Sequence, residues 1–419
     1  MEHHPGVYDA RNKTLLKGLT CLMFMMFAMT SDAVGSVIPH LIKDFGLSLT
    51  AAGTFHYVPM ATIAIGAILL GFMADKLGRQ RAIVIGLILY GVSSALFAFG
   101  SHFSYFVALL AVSGLGVAVF KTGALALVGD VTTTTSEHSS LMNTVEGFFA
   151  TGAIIGPAIV ATLLAEGLSW KWLYVAAAAM CAILILLSLA VRYPAKVVTQ
   201  TPTSLVHTLK MGRDPYALAF SALIMLYVAV EVAIYVWMPT YLAGYKGSIA
   251  WLPVYALTIF FVLRAAGRFL GAWMIRFVPW TLMLALFSAA IFACFAGALI
   301  GGPTIGAVLL PASGLFMSVM YPTLNSKGIS CFRKSEHGAA AGLILFFTAV
   351  SAAAAPLAMG AISDALGGVQ YGFWLATGFA FLLFAGLMVN LVFDPAKRRL
   401  QTLEELENAA VRRKEIALA

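Results

Sequence analysis

The sequence predicts an all-α integral membrane protein of twelve transmembrane helices, arranged as two pseudo-symmetric six-helix halves. Three observations carry that prediction. Of the 419 residues, 61% are hydrophobic and only 11% are charged, against about 25% charged in a soluble domain. Windows of about 20 apolar residues recur along the whole chain, and that length crosses roughly 30 Å of hydrocarbon at 1.5 Å per residue. The chain also resembles itself at an offset of about 200 residues, the internal duplication common in secondary transporters.

The spans are expected at 17–42, 51–73, 82–101, 104–129, 139–165, 169–192, 215–242, 251–275, 280–301, 304–328, 337–361 and 370–393. The repeat places "SEHSSLMNTVEGFFATGAIIGP" (Ser136 to Pro157) over "SEHGAAAGLILFFTAVSAAAAP" (Ser335 to Pro356). At an offset one residue longer, "SGL" at 113–115 recurs at 313–315, and Pro39 lies over Pro239. The expected organisation is an N-terminal half at 1–193, a polar cytoplasmic linker at 194–214, a C-terminal half at 215–395 and a cytoplasmic tail at 396–419. The tail reads as a charged surface helix with Leu400, Leu403 and Leu406 on one side, and has no assigned role in transport.

The formal charge of +8 does not require nucleic acid, because its distribution follows the membrane. Of the 26 Lys and Arg, 20 fall in the tails and even-numbered loops: Arg11, Lys13 and Lys17; Lys76, Arg79 and Arg81; Arg192, Lys196, Lys210 and Arg213; Arg276; Lys327, Arg333 and Lys334; Lys397 to Arg399; Arg412 to Lys414. That is the positive-inside bias, with both termini cytoplasmic. A bacterial inner membrane is the expected location and a monomer the expected state. The first span is too long for a signal-peptide core and is expected to be retained. The four cysteines form no extracellular pair, so disulfides are not expected.

The loop "GFMADKLGRQR" (Gly71 to Arg81) between spans 2 and 3 resembles the G-x-x-x-D-(R/K)-x-G-R-(R/K) signature of the major facilitator superfamily. With the twelve spans and the repeat, the resemblance covers the whole chain and implies alternating-access transport. It also implies that Gly71, Asp75, Gly78 and Arg79 latch the cytoplasmic side, through close helix approach and charge-assisted contacts. The second half offers only "GRFLGAWMIRF" at 267–277, with Ile275 in place of the acid. "GLFMSVMYPTLNSKGI" (Gly314 to Ile329) and "GLILYGVSSALFAFG" in span 3 resemble the fucose and glucose proton symporters of the superfamily. A sugar substrate is implied by that resemblance. The branch commonly carries an acid in span 4, near where this chain has Lys121, so the sign of the charge is changed.

An ionisable group inside a span costs on the order of 3 kcal/mol and usually faces a cavity or a partner. Lys121 and Glu146 are equidistant from the turn at Thr132 to Thr135, so an ion pair between spans 4 and 5 is expected. It would either clamp the helices or be opened by substrate or a proton. Glu231 in span 7 and Asp32 in span 1 lie one position apart under the repeat. Buried carboxylates are the usual proton carriers, so Glu231, Asp32 and Glu146 are the candidate coupling acids, Glu231 foremost. The hydroxyls of "MTS" before Asp32 would hold it ionised. Arg264 in span 8 is within about 4.5 Å of the depth of Glu231 and would neutralise it or grip an anion. Arg268 and Lys327 read as structural and snorkelling residues.

The remaining substrate-binding candidates at these depths are His56, Asn143, Tyr227, Tyr235, Trp237, Tyr321, Asn325 and Phe347, whose amides and rings suit a sugar. No metal spacing, cofactor motif, P-loop or hydrolase motif is expected, and the chain does not read as an enzyme. The leading expectation is proton symport of a sugar or sugar derivative. The alternatives are a small organic anion held by Lys121 and Arg264, export of amphipathic drugs or lipids, and a membrane receptor or scaffold without transport.

Overall fold

The structure, a computed structural model, describes residues 10–70, 77–132, 135–193, 211–274, 277–333, 336–403 and 405. The described spans are helical, as a chain in hydrocarbon requires, because each unsatisfied backbone group there costs several kcal/mol. Among the described residues, ten helical stretches are long and apolar enough to cross a bilayer. One of them, Trp280–Ser330, is 51 residues long and holds two spans. They part at Gly302, whose φ of 67° is left-handed, followed by Pro303, which has no N–H to continue the ladder. Thr54–Leu70, with 17 residues, adds one more, and ten, one and one make the expected twelve.

Three spans are broken among the described residues, span 10 at Ser318–Val319, and the breaks of the other two correspond under the repeat. Span 1 runs as Ala10–Ser31 and resumes as Val34–Phe45, with Pro39 inside the second piece. Span 7 runs as Pro215–Val232, widens into a π turn over Ala233–Trp237, and resumes as Met238–Leu242, with Pro239 in its first turn. A proline removes one helical hydrogen bond and clashes with the preceding turn, which explains a break several residues upstream. Asp32 sits in the first gap and Glu231 one residue before the end of the second helix. Interrupted helices at matched positions of two repeats mark the binding region of such proteins.

The residues cluster into two compact units: 1–200 with Tyr235–Ala243 and Ser248–Phe261, and 201–234 with Gly244–Gly247 and Val262–Ala419. The distal pieces of spans 7 and 8 thus belong to unit 1, although the chain boundary expected from sequence lies earlier. Small residues explain this packing. A Cβ on Gly35 would collide with the Tyr235 carbonyl, and one on Gly53 would meet the Trp237 indole. Span 5 lies against span 1 by the same device, since Gly152 and Gly156, one turn apart, face the Met25 and Met29 carbonyls, a small-xxx-small contact.

In unit 2, Asp214 caps Pro215–Val232 by accepting from the N–H groups of Tyr216 and Ala217. It also accepts from Arg399 at 2.9 Å. Arg399 donates to the Cys331 carbonyl at 2.7 Å and stacks over Tyr216 and Phe332, joining the start of span 7, the end of span 10 and the C-terminal helix.

Candidate functional site

In unit 1 the interruption of span 1 sets Asp32 beside Ser31, whose hydroxyl donates to Oδ1 at 2.9 Å. Thr30 instead donates to the Phe27 carbonyl and bonds Tyr90. Lys121 extends from span 4 toward spans 1 and 5. Its Nζ lies 4.9 Å from the Phe27 ring centre, 5.4 Å from Phe24 and 5.9 Å from Phe149. The expected contact pair with Glu146 does not form: among the described residues, no carboxylate lies within ion-pair distance of Lys121. Glu146 is exposed, and the ammonium meets ring faces instead. Glu146 and Asp32 remain the acids whose charge reaches it. Equal depth put the two residues at one level; the azimuth about each helix, which turn counting leaves open, gave the near contact to phenylalanines. Each such face contributes about 0.5–2 kcal/mol when desolvated.

In unit 2 the expected neutralisation of Glu231 is present, with Arg264 Nη2 2.5 Å from Glu231 Oε1 and the two side chains 20% and 10% exposed. Tyr227, one turn earlier in span 7 and within hydrogen-bond reach of Glu231, donates to the Met317 carbonyl at 3.1 Å. The charge of Arg268 also reaches it. Tyr321 stands with its ring centre 6.4 Å from that of Tyr227. Asn325 follows Tyr321 by four residues on Met320–Ser330, so the two share a helix face. Phe347 is half-buried on His337–Leu366 and stacks edge-on with Phe346. Lys327 lies over the Trp280 ring, consistent with a structural place.

His56 and Trp237 are buried in unit 1, and the Tyr235 ring meets His56 at 5.3 Å. His56, Ser31, Thr30 and Tyr90 line part of an internal cavity of about 30 Å³, large enough for a water. Asn143 lies on Thr135–Ala165, with its side chain outside the described residues. Of the latch residues, Gly71 and Asp75 also lie outside them. Gly78 has φ of 89°, and Arg79 Nε donates to Asp130 Oδ2 at 2.8 Å, tying the start of span 3 to the end of span 4.

Sequence reasoning missed the phenylalanine cage and Asp130. Phe24 and Phe27 are three residues apart, and Phe149 follows Glu146 by three, so each set shares a helix face with the charge cluster. Such spacing is common in apolar helices and becomes a signal only beside the buried cation. Two matched helix breaks carry acids at their edges, with one cation held by rings and the other by a carboxylate. This arrangement can exchange partners when a solute or proton arrives.

Residues 20–356 match the profile of the Major Facilitator Superfamily. The chain belongs to this superfamily. Its glucose/galactose transporter from Brucella abortus is 26% identical over 393 residues, covering 88% of this chain and 92% of that one. The L-fucose-proton symporter of Escherichia coli is 24% identical over 402 residues, covering 86% and 90%. The crystal structure of the nucleoside transporter NupG superimposes with a TM-score of 0.72 at 16% identity, covering 90% of this chain and 98% of that one, a likeness of fold. Other matches are partial: the chain spans 60% of a TsgA homolog from Buchnera aphidicola and 30% and 42% of two Bacillus subtilis multidrug proteins. As a major facilitator protein, the chain belongs to a family of membrane transporters.

Proposed function

We propose that this transporter is a proton-coupled symporter of a sugar or sugar derivative. What supports the proton is that Asp32 lies in the break of span 1 and that its charge and that of Glu146 reach one ammonium, Lys121, so protonation of an acid there is the coupling event. Glu231 is engaged by Arg264 and becomes a proton site only when that pair opens. The substrate-binding candidates of unit 1 are Lys121, Glu146, Asn143, Trp237 and His56, and those of unit 2 are Arg264, Tyr227, Tyr321, Asn325 and Phe347. The two full-length relatives, named for sugars, favour that substrate class. The latch reading keeps Gly71, Asp75, Gly78 and Arg79. The charge distribution supports cytoplasmic termini, and a bacterial inner membrane and a monomeric working unit belong to the same proposal.

A second reading, transport of an organic anion, is favoured by Lys121, whose near neighbours are rings instead of a carboxylate. Drug export, suggested by the partial multidrug matches, suits the charged clusters less well. The test is uptake into proteoliposomes under an imposed pH gradient. Wild-type protein is expected to accumulate the solute. Asp32→Asn is expected to lose accumulation while retaining solute exchange at equal pH. Uptake indifferent to the gradient would overturn proton coupling.

A further inference from the structure

On the symport reading above, we infer that the carried solute is a sugar acid, a polyhydroxylated monocarboxylate, and that its carboxylate is received by Lys121. The ammonium sits among Phe24, Phe27 and Phe149 at 4.9–5.9 Å. Ring faces stabilise a cation without neutralising it or filling its hydrogen-bond donors. Among the described residues, no carboxylate lies within ion-pair distance of it. A neutral sugar has no use for such a cation. In unit 2 the corresponding cation, Arg264, already has its carboxylate at 2.5 Å, so Lys121 is the one poised to take an anion.

The same cluster orders the events. With Asp32 and Glu146 both ionised, an incoming carboxylate meets two like charges and one unlike. Protonating one of them leaves one acid and one ammonium, and the anion then enters a balanced site. The groups that set this balance are Asp32 on span 1, Lys121 on span 4 and Glu146 on span 5. Tyr90 on span 3 is bonded to Thr30 and contributes a hydroxyl. Proton and sugar acid therefore bind in that order, and acidification on the loading side tightens the solute.

The experiment reconstitutes the full chain in liposomes. It measures uptake of galactose, galacturonate, galactonate and lactate by wild type, Lys121→Arg and Lys121→Met, with thermal unfolding in detergent as the check that each variant is folded. The expected result is saturable uptake of the two sugar acids, with a KM that falls as the outer pH falls. Galactose and lactate are carried poorly. In Lys121→Met the KM for sugar acids rises at least about tenfold, the worth of one charge-assisted hydrogen bond, whereas Lys121→Arg retains binding. Uptake of galactose in preference to its acids, or an unchanged KM for the acids in Lys121→Met, overturns this inference and leaves the symport reading standing. Absence of uptake for every sugar-derived solute overturns the symport reading itself.

Discussion

Lys121 in unit 1 and Arg264 in unit 2 are both basic side chains within apolar helices, yet the two units hold them by different chemistry. Lys121 is a compact point charge and rests among three ring faces. Arg264 is a planar fork and engages a carboxylate directly. The difference separates a neutralised charge from one that stays available. A paired carboxylate cancels the field of its partner, whereas a ring quadrupole lowers the cost of burial and leaves the net charge in place. Unit 1 thus leaves its basic group without a contact carboxylate, whereas unit 2 pairs its own directly.

The sharpest way to break this contrast is to orphan the paired acid. Arg264→Ala leaves Glu231 buried without its partner and is expected to destabilise the protein by about 3–5 kcal/mol, whereas Arg264→Met with Glu231→Leu recovers most of that loss. Thermal unfolding in detergent, read for both variants, checks the pair. A double variant no more stable than the single one would show that Glu231 is already comfortable alone.

The next effect dismantles the cage from behind. Gly156→Leu forces a side chain into the Met29 backbone, and overpacking of this kind costs about 1–3 kcal/mol. Span 5 must withdraw from span 1, carrying Phe149 away from Lys121. The yield of monodisperse protein and its melting temperature are expected to fall together, and unchanged values would refute the close packing.

Trimming a single ring is milder. Phe27→Leu removes the closest face from Lys121 and is expected to cost about 0.5–2 kcal/mol in the wild-type background. In a Lys121→Met background only the packing part of that loss survives, so the two changes form a double-mutant cycle. A cycle with no coupling would mean that the rings serve packing alone.

The smallest effect is at the latch. Arg79→Gln breaks the pair with Asp130, which is as little exposed as Arg264–Glu231 but lies at helix ends where water replaces the lost partner, so the cost is expected to stay under about 1 kcal/mol. Stability is expected to change little while transport rate falls, because the pair joins two helix ends at the expected moving surface. In unit 2, burial pushes the Cys331 thiol up to about 11, against a partial opposing pull from Arg399. It is therefore expected to stay protonated and resist maleimide at pH 7. The thiol's favourable contribution is complete below its unfolded value of 9.0 and is lost as pH rises toward 11.

The twelve spans were legible because hydrocarbon forces every backbone group to pair within its own helix, so apolar length alone marks a span. The repeat register was legible from Pro39 over Pro239 and the two Ser-Glu-His starts, and the Arg264–Glu231 pair from depth counting along consecutive helices. These are one-dimensional quantities, distance along an axis or along a chain, and a sequence carries them directly. What surrounds Lys121 is a matter of azimuth: which face of span 4 meets which face of spans 1 and 5. That was decided by Gly152 and Gly156, whose missing side chains bring span 5 onto the backbone of span 1 and set Phe149 beside Phe27. Counting from the turn could put Glu146 at the level of Lys121. Only the packed helices could put three rings between the lysine and its expected partner's role.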